Sequence, residues 1–325
     1  MPENNHIKNV ALVGATGTVG VLIVASLLKL GTHTLTALTR HDSPAASSIP
    51  PGVKIAKVDY SSEASLVSAL QGQDILIITM NSRAPLSTEL SLVRAAAKAG
   101  VPYVLPNNWG IDLADEQLGV DVKLDRRPVL RLVEELGVSA WVSVTTGFWY
   151  EYSLGYGSET FGMDWKGRTW TFFDGGETRM NTSTWPQVGR AVAALLSLPL
   201  TPPSPGVPSL SDYKNKFVYV SSFNLNQKEM FASVLRVTGT KESEWTIKHE
   251  DSVARYQEAE KRLSAGDGAA YPQLLYSRVF FKDGCGNFEE RRGRLDNGVL
   301  GLEKEDLDEA TRVAVDRAEK GLKYH

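Results

Sequence analysis

Gly14-Ala15-Thr16-Gly17-Thr18-Val19-Gly20 repeats glycine at every third position. Such a turn lets the backbone approach a pyrophosphate, whose charge is then stabilised by amides and by the positive end of a following helix. About twenty residues on, the end of the next strand decides which nucleotide fits. A carboxylate there grips a ribose 2′-hydroxyl, whereas a guanidinium pairs with a 2′-phosphate through two parallel donors. Arg40 directly follows Thr39, His41 comes next and Asp42 competes two residues later. Taking Arg40 as the deciding residue, the turn is read as a site for NADP(H) rather than NAD(H), with Gly14, Thr16, Gly17, Thr18, Val19, Arg40 and His41 as contacts.

Several familiar catalytic arrangements are missing. No Tyr stands four residues before a Lys, the spacing that puts an ammonium beside a phenol on one helix turn. The sequence has no G-x-S-x-G elbow. Its five histidines (His6, His33, His41, His249, His325) have no metal-ligand spacing between them, and with one cysteine, Cys285, the sequence offers no zinc-ligand set.

The elements that must position the turn alternate along the first half. Asn9 to Val13 reads as a buried strand; Val19, Leu22, Ile23, Ser26, Leu27 and Leu30 then recur at helical spacing up to Gly31. Strands are read at Thr34 to Thr39, Val53 to Val58, Asp74 to Met80, Val101 to Leu105 and Val138 to Thr145. Helices are read at Ser62 to Leu70, Ser87 to Ala99 and Arg126 to Leu136. This rhythm predicts crossover units and an α/β fold, a doubly wound parallel (Rossmann) sheet with ligands at the carboxyl ends of its strands. By that topology Tyr60 flanks adenine. Met80 and Asn81 face the pyrophosphate or nicotinamide ribose, and Asn107 and Asn108 close the fifth strand beside them.

After residue 150 the period breaks into a Gly- and aromatic-rich stretch. Helices are expected at Trp185 to Leu198, Leu225 to Thr238, Ser252 to Leu263 and about Lys304 to Tyr324, with a strand at Phe217 to Ser221 that rejoins the sheet. The expected division is a dinucleotide domain over 1–147, with 185–222 rejoining it, and a smaller substrate lobe from 148–184 and 223–325. Gly147-Phe148-Trp149-Tyr150-Glu151-Tyr152 lies just past the sixth strand. Aromatic walls with a few polar groups suit a flat apolar substrate, so Phe148, Trp149 and Trp165 are candidate substrate contacts and Tyr150 or Tyr152 candidate proton donors.

The 325 residues are 42% hydrophobic and 22% charged, a globular composition, and the net charge of −3 offers no basic face for nucleic acid or an anionic membrane. The polar start (Met1 to Lys8) lacks a secretory core, the longest apolar stretch (Ala191 to Leu200) is about half a membrane span, and the lone cysteine fits a reducing compartment. These features predict a cytoplasmic protein, and Asn181-Thr182-Ser183 is taken as a chance sequon. Nothing indicates an oligomer.

Five segments together resemble a known family: "NVALVGATGTVG", the arginine after strand two, "VDYSSEASLVSALQGQDILIITM", "VPYVLPNNWGIDLADE" and "LGVSAWVSVTTGFWYEYSL". In order and spacing they are similar to the NmrA-like, isoflavone-reductase-like branch of atypical short-chain dehydrogenases, nearest its fungal members with "GFWYE" after the sixth strand. The resemblance runs from about Ile7 to Thr240. It implies an NADP(H)-binding domain, a small substrate lobe and reduction of plant- or fungal-type phenolic or polyketide-like substrates; the leading expectation for this chain is an NADPH-dependent reductase of a small aromatic or alkaloid-like secondary metabolite. Some relatives are redox-sensing regulators, and a non-redox rearrangement or cyclisation is a further alternative. The resemblance also implies a lysine soon after the fifth-strand loop as general acid or base. Lys123 is the lysine in that neighbourhood, although counting back from Gly137 leads nearer Arg126, on a helix interrupted by Pro128.

Overall fold

The computed structural model describes residues 5–81 and 84–321. The first half follows the predicted rhythm: β1 (Asn9–Val13), α1 (Thr18–Leu30), β2 (Thr34–Arg40), β3 (Val53–Val58), α2 (Glu63–Leu70), β4 (Ile75–Ile78), α3 (Leu86–Ala99), β5 (Tyr103–Leu105), α4 (Glu116–Asp121), α5 (Arg127–Leu136) and β6 (Ala140–Thr145). Local chemistry sets the ends. α1, α3 and α5 each stop at a left-handed glycine, Gly31, Gly100 and Gly137, while the Ser62 hydroxyl caps α2 by accepting the Ser65 amide. Pro128 sits in the first turn of α5, where its missing N–H costs nothing, so it starts the helix rather than interrupting it. The fifth strand is shorter than expected because the Val101 amide still donates to Ala96, closing α3 instead of opening a strand.

The second half contains β7 (Phe148–Trp149), α6 (Tyr150–Tyr156), β8 (Met163–Asp164), β9 (Thr169–Phe173), β10 (Met180–Ser183), α7 (Trp185–Ser197), β11 (Lys216–Tyr219), β12 (Phe223–Leu225), α8 (Gln227–Thr238), β13 (Thr246–Glu250), α9 (Ser252–Ser264), α10 (Tyr271–Val279), α11 (Phe288–Arg292) and α12 (Leu307–Glu319). The last helix starts later than expected because the Asp306 side chain caps it. Tyr324 and His325 lie outside the described residues.

Seven strands form a parallel sheet in the order β11-β6-β5-β4-β1-β2-β3. One face packs on α1 and α7 through Ile23, Leu27, Val188 and Val192, the other on α2, α3 and α5 through Leu66, Leu92, Val93 and Val133. This is the doubly wound sheet expected of the sequence. Exposed Lys54 and Lys57 lie on edge strand β3, and a sheet edge bearing charge resists pairing with another chain. At the other edge Asp296 accepts the Tyr219 amide (2.7 Å) and returns its own amide to the Tyr219 carbonyl (2.7 Å).

Two three-stranded sheets, β12-β10-β7 and β13-β9-β8, support a separate apolar core that contains Phe148, Tyr150, Phe161, Trp170, Phe173, Phe231, Tyr276 and Phe280. Ile111, Leu113, Leu118 and Val122 join this core. The segment from 111 to 122, expected to belong with the nucleotide domain, thus packs with the smaller lobe.

Candidate functional site

The turn after β1 is built for close approach. Gly14 has φ 83°, and a Cβ there would collide with the Thr79 carbonyl oxygen. A Cβ on Gly20 would collide with the Gly14 carbonyl oxygen, so α1 touches the turn itself. The Thr79 hydroxyl fixes the arrangement by donating to the carbonyls of Val13 (2.8 Å) and Gly14 (3.1 Å). The first turn of α1 carries neither a side-chain cap nor an acidic residue, which leaves its positive end for an anion.

Around this turn opens a cleft of about 530 Å³. Of the predicted contacts, Gly14, Thr16, Gly17, Arg40, Tyr60, Met80 and Asn81 line it, together with Ser43, Ile49, Thr79 and Thr88, which sequence reasoning did not single out. The carboxyl ends of β1, β2 and β4 therefore converge on one groove of the size a small ligand fills. Burial pushes the Tyr60 phenol up to about 12 against the pull of Arg40, so it remains neutral and its hydroxyl lies 3.4 Å from the Leu38 carbonyl. Asp42 is exposed and absent from the lining. Asp59 is taken up by its own turn, accepting the Ser61 amide and hydroxyl, which hold its carboxyl below the usual range. With no carboxylate among the lining residues, the cleft suits a phosphorylated ligand.

The remaining predictions fare differently. Thr18 is exposed at the start of α1, but the Val19 side chain points into the core. His41 is exposed outside the cleft lining. The Asn107 amide donates to Glu89 Oε1 (2.7 Å), and buried Asn108 donates to the Ser143 hydroxyl (2.8 Å), pinning β5 to β6.

The expected catalytic groups are corrected. Lys123, at φ 56°, pairs with Glu260 at 3.0 Å on the exposed side of the smaller lobe because its segment packs there. The Tyr150 ring is fully buried, its hydroxyl bonded to Thr311 of α12 (2.8 Å), and burial raises its phenol. The Tyr152 ring packs against Trp149, Tyr156 and Trp185, away from the groove lining.

The aromatic wall is a core as well. Phe148 stacks on Tyr276 with centroids 3.9 Å apart, and Trp165 meets Trp245 at 5.8 Å. Trp149 is half-buried and packs against the sheet's core. The cause is local: Gly147, at φ 66°, lies against the Asn181 backbone, and β7 pairs with β10. The chain leaving β6 therefore turns into the small lobe rather than across the cleft. Asn181 itself is 1% exposed and bonded to Ser221 and Glu289, so its sequon is inaccessible in the folded protein.

Among the described residues no three His, Cys, Asp or Glu side chains could hold a metal ion, and no helix is long and apolar enough to cross a membrane. Sequence reasoning also missed Glu89, the carboxylate on the buried face of α3 with Leu92, Val93 and Ala96. That spacing was its available signal.

The NmrA-like family model matches residues 6–152. The chain is 28% identical over 274 residues to oxidoreductase aprR of Aspergillus flavus, covering 82% of this chain and 85% of that protein. Its fold is similar to a crystal structure of isoflavone reductase (17% identity, TM-score 0.72, covering 94% of this chain and 98% of that one). It is also similar to AtPrR2 solved with NADP+ and (+)pinoresinol (19% identity, TM-score 0.70, covering 96% and 99%). Residues 6–152 thus resemble the NmrA-like family, and the chain as a whole has a fold similar to that of isoflavone reductase.

Proposed function

We propose that this NmrA-like chain is an NADPH-dependent reductase of a small aromatic or alkaloid-like secondary metabolite. The observation that carries the reading is the groove itself, where a glycine turn that a Cβ at Gly14 or Gly20 would distort meets Arg40 without a lining carboxylate. The oxidoreductase relative, the fold of isoflavone reductase and that of AtPrR2 solved with NADP+ support it.

In this reading the cofactor supplies hydride at its nicotinamide ring. The chain's residues supply the rest. Gly14 and Gly17 bring the backbone to the pyrophosphate, and the first turn of α1 stabilises its charge. Arg40 takes the 2′-phosphate as a bidentate donor. Tyr60 and Ile49 flank adenine, while Met80 and Asn81 hold the chain's other contact surface at the end of β4.

Calorimetric titration of the purified protein with NADPH and NADH tests the cradle. Loss of NADPH absorbance with aromatic carbonyls, quinones and imines then tests turnover. No heat with NADPH from folded protein would overturn the cofactor assignment. Product formation without nucleotide consumption would replace reduction by a rearrangement.

A further inference from the structure

The sulfur atoms of this chain are unequally placed. The sequence has five methionines and one cysteine. Met163, Met180 and Met230 are each at most 1% exposed and belong to the core of the smaller lobe. Cys285 is buried as well, and its Sγ accepts Arg278 Nη1 (3.1 Å). Burial pushes its thiol up to about 12, so it stays protonated. Met1 lies outside the described residues. Met80, at the carboxyl end of β4, is alone among the described sulfur residues in being partly exposed, and it lines the cleft of about 530 Å³.

A thioether reacts with a peroxide that reaches it. The sulfur lone pair attacks one peroxide oxygen, the O–O bond breaks, and the other oxygen leaves as water with the transferred oxygen's proton. Sulfur is thereby oxidised to the sulfoxide and the peroxide is reduced. A core methionine meets peroxide only when the fold opens around it, whereas the wall of a groove meets it in the native state. Cys285 does not compete, because the thiolate is the reactive form of cysteine.

The position gives the product a consequence. Met80 follows Thr79, whose hydroxyl donates to the Val13 and Gly14 carbonyls, so this strand end and the glycine turn are tied together. Met80 also packs against the core cluster that contains Val13 and Leu38. A sulfoxide replaces that flexible apolar contact with a strong acceptor oxygen. Turned into the groove, the oxygen sets partial negative charge against the phosphates of a dinucleotide. Turned into the core, it loses its water and strains the strand end that holds the turn.

We propose that Met80 is the peroxide-sensitive residue of this protein and that its sulfoxide lowers the groove's affinity for a dinucleotide. The selectivity rests on burial alone; the consequence rests on the NADP(H) reading. A bound dinucleotide covers the wall, so the empty protein is the form that is oxidised. It then stays in a low-affinity state until a sulfoxide reductase restores the thioether.

The test exposes the full-length protein to hydrogen peroxide and follows sulfoxide at each methionine by peptide mass mapping. Met80 should be oxidised at least about tenfold faster than Met163, Met180 and Met230. NADP+, which carries no hydride for peroxide to consume, should slow Met80 and leave the others unchanged. Once peroxide is removed, calorimetry should show NADPH binding weakened by about tenfold or more, the scale of one uncompensated polar group. Methionine sulfoxide reductase with dithiothreitol should restore it. Met80→Leu, whatever its affinity before treatment, should lose none on oxidation. Oxidation of Met80 no faster than of the buried methionines overturns the proposal. So does unchanged affinity with Met80 fully oxidised, or an equal loss in Met80→Leu. Should that variant not fold, the reductase step decides, and a loss it fails to reverse overturns the proposal. Untreated protein that gives no heat with NADPH removes the cofactor reading, whereas the order of oxidation without nucleotide still decides whether Met80 is the sensitive site.

Discussion

Arg40 and Asp42 are separated by a single residue, and of the two Arg40 lines the cleft. Replacing Arg40 by Ala should weaken NADPH by about 1.5–3 kcal/mol, roughly ten- to a hundredfold, because a charge-assisted bond to phosphate is lost. NADH should bind as before, and equal losses for both nucleotides in calorimetry would remove the 2′-phosphate contact. Glu151 makes a second residue-scale prediction. It is 3% exposed and accepts the Trp185 amide (3.1 Å), and burial pushes its carboxyl from 4.5 up to about 7. Between those values the folded protein retains a proton that the unfolded chain has released, so stability falls as pH rises and the loss is complete above about 7. Glu151→Gln should therefore be more stable than the parent at about pH 8, by up to roughly 3 kcal/mol, and melt like it below about pH 4.5. Thermal melts at both pH values check this, and a pH-independent difference would contradict it. At this scale the sequence showed Arg40 and the glycines because backbone and charge requirements are local. It hid the Glu89–Arg126 pair, whose partners are 37 residues apart and meet only when α3 packs beside α5.

α1 performs two tasks at its two ends. Gly20 touches the nucleotide turn, while Gly31, at φ 68°, closes the helix with open space where a Cβ would stand. Gly20→Ala should drive a methyl into the Gly14 carbonyl, costing about 1–3 kcal/mol as overpacking and moving the cradle so that NADPH binding is lost. Gly31→Ala should cost about 1 kcal/mol of backbone strain and leave binding intact. Melting temperature and nucleotide titration on the pair distinguish the roles; equal effects on binding would mean that α1 moves as one body. The same helix shows why the first half was legible. Its apolar residues recur over thirteen positions and its end is marked by glycine. By contrast β7 and β8 contain two residues each and β12 three, too short for an alternating pattern. Phe148 and Trp149 read as a cleft wall because composition alone does not distinguish a lining from a core. Pairing of β7 with β10 made them core.

Across the whole molecule, the segment after β5 joins the sheet to the small lobe. Asp112, 1% exposed, pairs with Arg292 of α11 (2.6 Å) and accepts the Tyr219 hydroxyl of β11 (3.2 Å). Beside it Asp115 pairs with Arg291 (2.5 Å), and Asp121 with Arg278 of α10 (2.7 Å). Four apolar side chains of this segment enter the lobe's core, so the ion pairs fix a register that apolar contact alone would leave loose. No periodicity marks such a segment, since its partners lie about 160–180 residues away along the chain. Asp112→Asn leaves the Arg292 charge without its buried counterion and should cost up to about 3 kcal/mol, below the fully buried range because Arg292 is partly solvated. Combining it with Arg292→Met should recover part of that loss, as a double-mutant cycle reports. Hydrogen exchange should quicken in α11 and across 111–122 in the single variant. NADPH affinity should stay at the parent value, because neither side chain lines the nucleotide groove. Additive costs in the cycle would show that Asp112 and Arg292 act separately, and a loss of NADPH affinity would show that the lobe's position controls the groove.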